Sequence, residues 1–315
     1  MRLPVKDTPR WTQPRIFGSY NGLVAVSFED QLILWNPLTR KHSSVNWYIH
    51  DDDGGHRLLY GLCYDVGRDE YKVVIGSNYQ SPPVSPSNFD RLEIYETIHV
   101  SLCNFKDGRW GTVNSDSLGI RLLDRWLYIG KVVYGLPHWV VEFYDFIDPF
   151  VKKEILYFDL KDEKFKQMKR PYNNRDDKKL LGLAAIDDEN QLGCVFRDGF
   201  SSSIEVWVMK EYGNSESWTN LFTIPSLYTT ANHSSIMDMD VMGFTPNGEL
   251  LLYVNGNRLW IYDFQKGNCH AIKYKDLKFD VVITYEPKLI SPPEPSKHLN
   301  KEYKDEDEVN DDTYY

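Results

Sequence analysis

The sequence predicts an all-β chain of β-propeller type, kelch-like in scale, with five or six blades and a disordered acidic C-terminal tail. Three observations carry that expectation. Two kinds of hairpin unit recur along the chain, the usual mark of a repeat architecture. No apolar 3.6-residue period persists over the roughly ten residues a helix would need. The apolar runs are short, rich in aromatic and β-branched residues, and punctuated by Asn, Asp, Gly and Pro.

The first unit is an alternating strand ending in an aromatic residue, an Asn- or Asp-led turn, and a short polar strand. It runs from Gln31 through Trp35-Asn36-Pro37 to Lys41, returns from Glu154 through Phe158-Asp159 to Phe165, and appears again from Arg258 through Tyr262-Asp263 to Cys269. The second unit is a glycine-led strand, a polar turn and another apolar strand. Its copies begin at Gly61, Gly182 and Gly243 and end near Val74, Phe196 and Tyr253. Two further hairpins end on Trp110 and Trp218. The units alternate at roughly 40 to 60 residues, the size of a four-stranded blade. A single blade covers neither of its faces, so copies must stack until a ring closes. Ring closure by strand pairing is expected to use the late run Asp280–Tyr285 against the N-terminal strand. The expected organisation is an N-terminal extension over 1–14, the propeller over 15–291 and the tail over 292–315.

Composition narrows the function. The net charge is −10, and half of it sits between Lys301 and Tyr315, where two basic residues meet seven acidic ones. A body that is still mildly acidic argues against nucleic-acid binding and is compatible with a basic protein target. No apolar run approaches the roughly 18 residues of a membrane-spanning helix. Cys63, Cys103, Cys194 and Cys269 lie far apart with no C-x-x-C pair, so they read as reduced thiols. They fit an intracellular protein.

These same segments resemble the F-box-associated domain of plant F-box proteins, the group that includes S-locus F-box proteins. The resemblance runs in order through Gly18–Val24, Leu34–Lys41, Tyr60–Asp65, Asp69–Val74, Gly135–Trp139, Ile155–Leu160 with Glu163–Phe165, Ile204–Met209 and Tyr285–Ser291. It implies a protein-interaction module acting in the cytoplasm or nucleus without a cofactor, the substrate-recognition part of an SCF-type E3 ubiquitin ligase that captures a target for degradation. Family members carry an F-box ahead of this domain, which binds a Skp-type adaptor and through it a cullin. No such helical segment precedes Arg15 here, so the expectation is a target-binding half whose adaptor contact needs an F-box supplied upstream. Two alternatives stay open: a glycosidase-like hydrolase using paired carboxylates at the propeller axis, and a scaffold or decoy that binds without ubiquitination.

The motifs that suggest chemistry have plainer readings. His50–His56 fails the calcium-loop pattern, since Gly55 stands at a ligand position and Leu62 where a bidentate Glu is needed; it reads as a solvated loop, and no metal is expected. Phe105–Trp110 reads as a hairpin turn. His138-Trp139 reads as strand packing within a glycine-led strand starting near Lys131. No serine sits in a G-x-S-x-G elbow and no phosphate-binding glycine loop is present, so no catalytic residue is assigned. Two insertions are better candidates: the proline-rich Tyr79–Pro86 and the aromatic Glu142–Phe150. Phe143, Tyr144, Phe146 and Phe150 are the expected partner-binding residues, because rigid aromatic rings on loops are typical interface anchors.

Overall fold

A computed structural model describes residues 14–28, 30–47, 56–79, 97–114, 121–122, 128–144, 151–171, 177–186, 191–201, 203–225, 236–272 and 282–294. Five blades follow one another, each a meander of four antiparallel strands. Blade one comprises β1 (Arg15–Tyr20), β2 (Leu23–Phe28), β3 (Gln31–Trp35) and β4 (His42–Asn46). Blade two comprises β5 (His56–Asp65), β6 (Glu70–Tyr79), β7 (Thr97–Asn104) and β8 (Trp110–Asn114). Two short strands, β9 (Arg121–Leu122) and β10 (Tyr128–Ile129), precede blade three, which holds β11 (Lys131–Val133), β12 (Leu136–Tyr144), β13 (Val151–Asp159) and β14 (Lys164–Met168). Blade four is β15 (Lys178–Ile186), β16 (Gln191–Asp198), β17 (Ile204–Met209) and β18 (Trp218–Ile224). Blade five is β19 (Met239–Phe244), β20 (Leu250–Val254), β21 (Arg258–Asp263) and β22 (Asn268–Ala271). A single 3-10 turn, Ser215–Ser217, is the only helical element among the described residues.

The two recurring units are the two halves of one blade. Glycine-led hairpins are first-to-second strand pairs (β5–β6, β15–β16, β19–β20), and the Asn- or Asp-led hairpins are third-to-fourth pairs (β3–β4, β13–β14, β21–β22). The turn of the second kind is built by its leading side chain. Asn36 Oδ1 accepts from the amides of Leu38 and Thr39, Asp159 Oδ1 from Lys161 and Asp162, and Asp263 Oδ1 from Gln265 and Lys266. Such local bonds replace the ladder just where it must stop. Asn104 makes the same turn in blade two, accepting from Lys106 N, so the Phe105–Trp110 segment is indeed a hairpin turn.

The core lies between blades. Phe17, Leu34, Tyr60, Leu62 and Phe105 join blades one and two; Leu59, Val74, Trp139, Leu156 and Phe158 join two and three. Ile155, Leu180, Phe196 and Trp218 join three and four, and Leu181, Val206, Met239, Leu252 and Trp260 join four and five. Because a middle strand is covered on both faces, β2 and β16 read as near-continuous apolar runs.

Closure departs from the sequence expectation. Among the described residues of 282–294 there is no strand. The segment lies as a strap over blade one, on the face holding Val24, Val26, Ile33 and Trp35, and covers it with Ile283 and Tyr285. Asn36 Nδ2 donates to Lys288 O at 2.8 Å and to Ile290 O at 2.6 Å, Ser19 Oγ donates to Thr284 O, and Tyr285 OH reaches Asn36 Oδ1. Among the described residues, side-chain bonds from Ser19 and Asn36 hold this segment where a strand ladder was expected. Most of the expected tail, like most of the N-terminal extension, lies outside the described residues.

Candidate functional site

The two pairings that link neighbouring blades, β10 with β5 and β15 with β19, are both parallel. Strands alternate within each blade, so second-to-third connections and inter-blade links gather at one end of the ring, here the loop end. The tight turns gather at the other.

A cavity of about 500 Å³ lies among the first strands of the blades, lined by β1, β10, β11, β15 and β19 and by the strap at Val282–Thr284. Lys153, on β13 and almost wholly buried, reaches into its wall, pairs with Asp238 and donates to Met237 O at 3.3 Å. Asp240 accepts from Leu183 N at 2.8 Å, a side-chain bond across the β15–β19 junction, where the ladder has a single register pair, Ala184 with Val241. Asp238 and Asp240 are the carboxylates of this cavity among its described lining residues. Each already holds a partner, and the pair therefore fixes the walls of the cavity. Among the described residues no group of three His, Cys, Asp or Glu side chains is arranged to hold a metal ion.

His138 also lines the cavity and is fully buried. Its stretch is not one strand from Lys131, as the sequence suggested. Tyr134 (φ 53°) and Gly135 (φ 74°) make a hairpin turn that pairs Lys131 with His138. Tyr134–Gly135 does the work of an Asn-Gly turn, with glycine supplying the left-handed conformation at no steric cost. His138 Nδ1 lies 2.8 Å from Leu136 O and Nε2 2.9 Å from the Tyr212 hydroxyl, and the ring stacks on Tyr157. Carbonyl and hydroxyl partners together set a neutral ring that donates through Nδ1 and accepts at Nε2. Burial lowers its pKa from 6.5 to about 4, outweighing the carbonyl contacts, which act in the other direction.

That shift has a definite sign. Between pH 6.5 and 4 the unfolded chain takes up a proton at His138 that the folded chain refuses, so stability falls as pH drops through this window. The expected loss is about 3 kcal/mol by pH 4. His138→Gln should flatten the pH dependence of urea unfolding between those values relative to the parent. Parallel curves for the two proteins would contradict the assignment.

The expected partner residues fall differently from the sequence reading. Phe143 and Tyr144 are the last residues of β12, not loop residues: Phe143 pairs with Lys152 and Leu122, Tyr144 with Val151 and Arg121. Aromatic residues suit a pleated ladder, and here they lengthen the hairpin. Phe146 and Phe150 lie outside the described residues, as do residues 80–86 of the proline-rich insertion and residues 50–55 of the His50–His56 cluster. The strand ends that bracket both insertions, Tyr79 with Thr97 and Tyr144 with Val151, open at the loop end.

One group of exposed aromatics escaped the sequence reading. Phe244 and Phe264 are 52% and 42% exposed, and half-buried Phe222 stands beside them with ring centroids 6.4 and 5.2 Å away. A signal was present: Phe264 follows the turn-forming Asp263, where Pro37 and Leu160 stand in the sister turns. The four cysteines are free thiols. Burial pushes Cys63 and Cys194 well up and raises Cys103 to about 12, which keeps them protonated and unreactive.

Residues 5–292 match the family described as the F-box associated beta propeller domain. The F-box protein CPR1 of Arabidopsis thaliana is 25% identical over 279 residues, covering 83% of this chain and 64% of that protein. The F-box protein At3g07870 of the same plant is 26% identical over 298 residues, covering 84% and 66%. The chain thus spans just under two thirds of the length of these relatives. Among solved structures, the Dos1 propeller aligns with 82% of this chain and 57% of its own at 10% identity, with a TM-score of 0.36.

Proposed function

The chain belongs to the F-box associated β-propeller family, and on that premise we propose that it is the target-recognition module of an SCF-type ubiquitin ligase, a binder and not a catalyst. The observation that carries the reading is the extent of the family match, which takes in all five blades and the strap. Relatives that are F-box proteins support it. The module holds a protein target in the cytoplasm or nucleus, and contact with the Skp-type adaptor and cullin belongs to an F-box. The propeller alone is therefore expected to retain target and not adaptor.

We place the target contact at the loop end, with Phe143, Tyr144, Phe146 and Phe150 as its aromatic part and Asp145 and Asp148 meeting a basic partner. Capture with the 315-residue chain as bait identifies the target. Truncating a buried aromatic anchor typically costs about 2 kcal/mol, roughly thirtyfold in affinity. Replacing all four residues by Ser should therefore weaken capture at least that much. Because Phe143 and Tyr144 belong to a ladder, Phe146→Ser with Phe150→Ser is the companion variant, expected to lose affinity with an unchanged melting transition. Unchanged capture by both variants would refute the contact. Capture of the adaptor by the propeller alone would refute the division of labour.

A further inference from the structure

The axial cavity holds more than the ring needs to close. Its described lining residues include two lysines and two aspartates, Lys131, Lys153, Asp238 and Asp240. Lys153 is matched by Asp238, and Asp240 by the amide of Leu183. Lys131 is left over. Its Nζ lies 3.8 Å from the thioether sulfur of Met242, a weak acceptor that carries no charge, and among the described residues it forms no ion pair. A partly buried ammonium without a counter-ion forgoes the interaction that ordinarily offsets its desolvation. The same lining includes the apolar side chains of Leu181, Leu183, Met239 and Ile283. A volume of about 500 Å³ is that of a pocket for a small organic molecule.

We infer that the axial cavity is a binding site for a small organic anion, an apolar body carrying one acidic group that pairs with Lys131. The cavity reaches the loop end at Asn255 and Gly256, and the site requires no protein partner. The apolar body occupies the space between β15, β19 and the strap, and the acidic group supplies the charge that Lys131 lacks. Met242, whose sulfur lies beside that ammonium, is the bulged residue of β19. The inference needs no catalytic step, since both carboxylates are already engaged.

The probe is 8-anilinonaphthalene-1-sulfonate, an aromatic body with one sulfonate, titrated into the whole chain by fluorescence and calorimetry. Its uncharged counterpart, N-phenyl-1-naphthylamine, shares the aromatic body and lacks the sulfonate. Saturable binding at one site per chain is expected, with the sulfonate at least tenfold tighter than the neutral amine. Lys131→Met should remove that preference and Lys131→Arg should keep it, each with the parent's melting curve. Phe244→Ser with Phe264→Ser, at the exposed aromatic group, should leave binding unchanged. Equal affinity for the two probes on the parent protein would overturn the inference without recourse to any variant. So would full sulfonate affinity in Lys131→Met, absence of saturable binding, or loss of binding confined to the Phe244, Phe264 variant.

Discussion

Gly182→Ala is expected to remove about 4 kcal/mol or more of stability, most of what a domain ordinarily has. Gly182 sits where β15 runs closest to the start of β19. A methyl group built on its backbone would stand 2.1 Å from Met239 O, 2.8 Å from Met239 C and 2.4 Å from the Asp240 carboxylate. Two of these atoms are backbone, so no rotamer change relieves the overlap; the strands must part. Parting them breaks the Ala184–Val241 pairing and the Asp240-to-Leu183 bond, the links that hold blade four to blade five. It also opens the apolar packing of Leu181 on Met239 and Val241. Gly111 is the matched control, an exposed strand glycine with nothing within 4 Å of its added methyl. Gly111→Ala should stay within about 0.5 kcal/mol of the parent in urea unfolding. Equal midpoints for the two variants would show that the blades do not approach as closely as described.

Asn36→Ala is expected to cost about 3 kcal/mol and to release the strap, since each buried polar group left unpaired costs about 1 to 3 kcal/mol. One fully buried amide serves two functions here. Its oxygen holds the turn amides of Leu38 and Thr39, and its nitrogen holds the carbonyls of Lys288 and Ile290, some 250 residues away in sequence. Alanine leaves all four without this partner, and the apolar cover of Ile283 and Tyr285 over Val24 and Trp35 loses its anchor. Asp159 is the comparison, making the same turn with its oxygen and holding no strap. It is partly solvated, so water replaces what Asp159→Ala removes, and about 1 kcal/mol is expected. Faster amide exchange through 284–290 in Asn36→Ala, and none in Asp159→Ala, would mark the release. Equal losses and equal exchange would contradict the strap.

The contrast between Asn36 and Asp159 also shows how much was legible beforehand. Both turns were readable, because the side chain bonds amides only two and three residues ahead. The glycine-led hairpins were readable for a similar reason. Asn104 does not stand out as a sister turn in the sequence because Cys103 precedes it, where Trp35, Phe158 and Tyr262 stand in the other copies. The turn at Tyr134–Gly135 hid inside an apolar run, since tyrosine is a strand former and its positive φ is imposed by the pairing of Lys131 with His138. The extension of β12 through Phe143 and Tyr144 is not written in the sequence, because chain length between two strands does not say how far each strand extends.

The sequence by itself determined the class of structure, the size of the repeat and the family, all of which rest on contacts made within one hairpin. The tertiary structure alone decided that the described residues form five blades, that a strap without strand pairing among them covers blade one, and that Lys131 meets no counter-charge among them. Each of those depends on which segments meet after the angles between successive blades have accumulated around a ring. That sum is carried by inter-blade packing of Leu181 on Met239 or Phe17 on Tyr60, and no local pattern of residues encodes it.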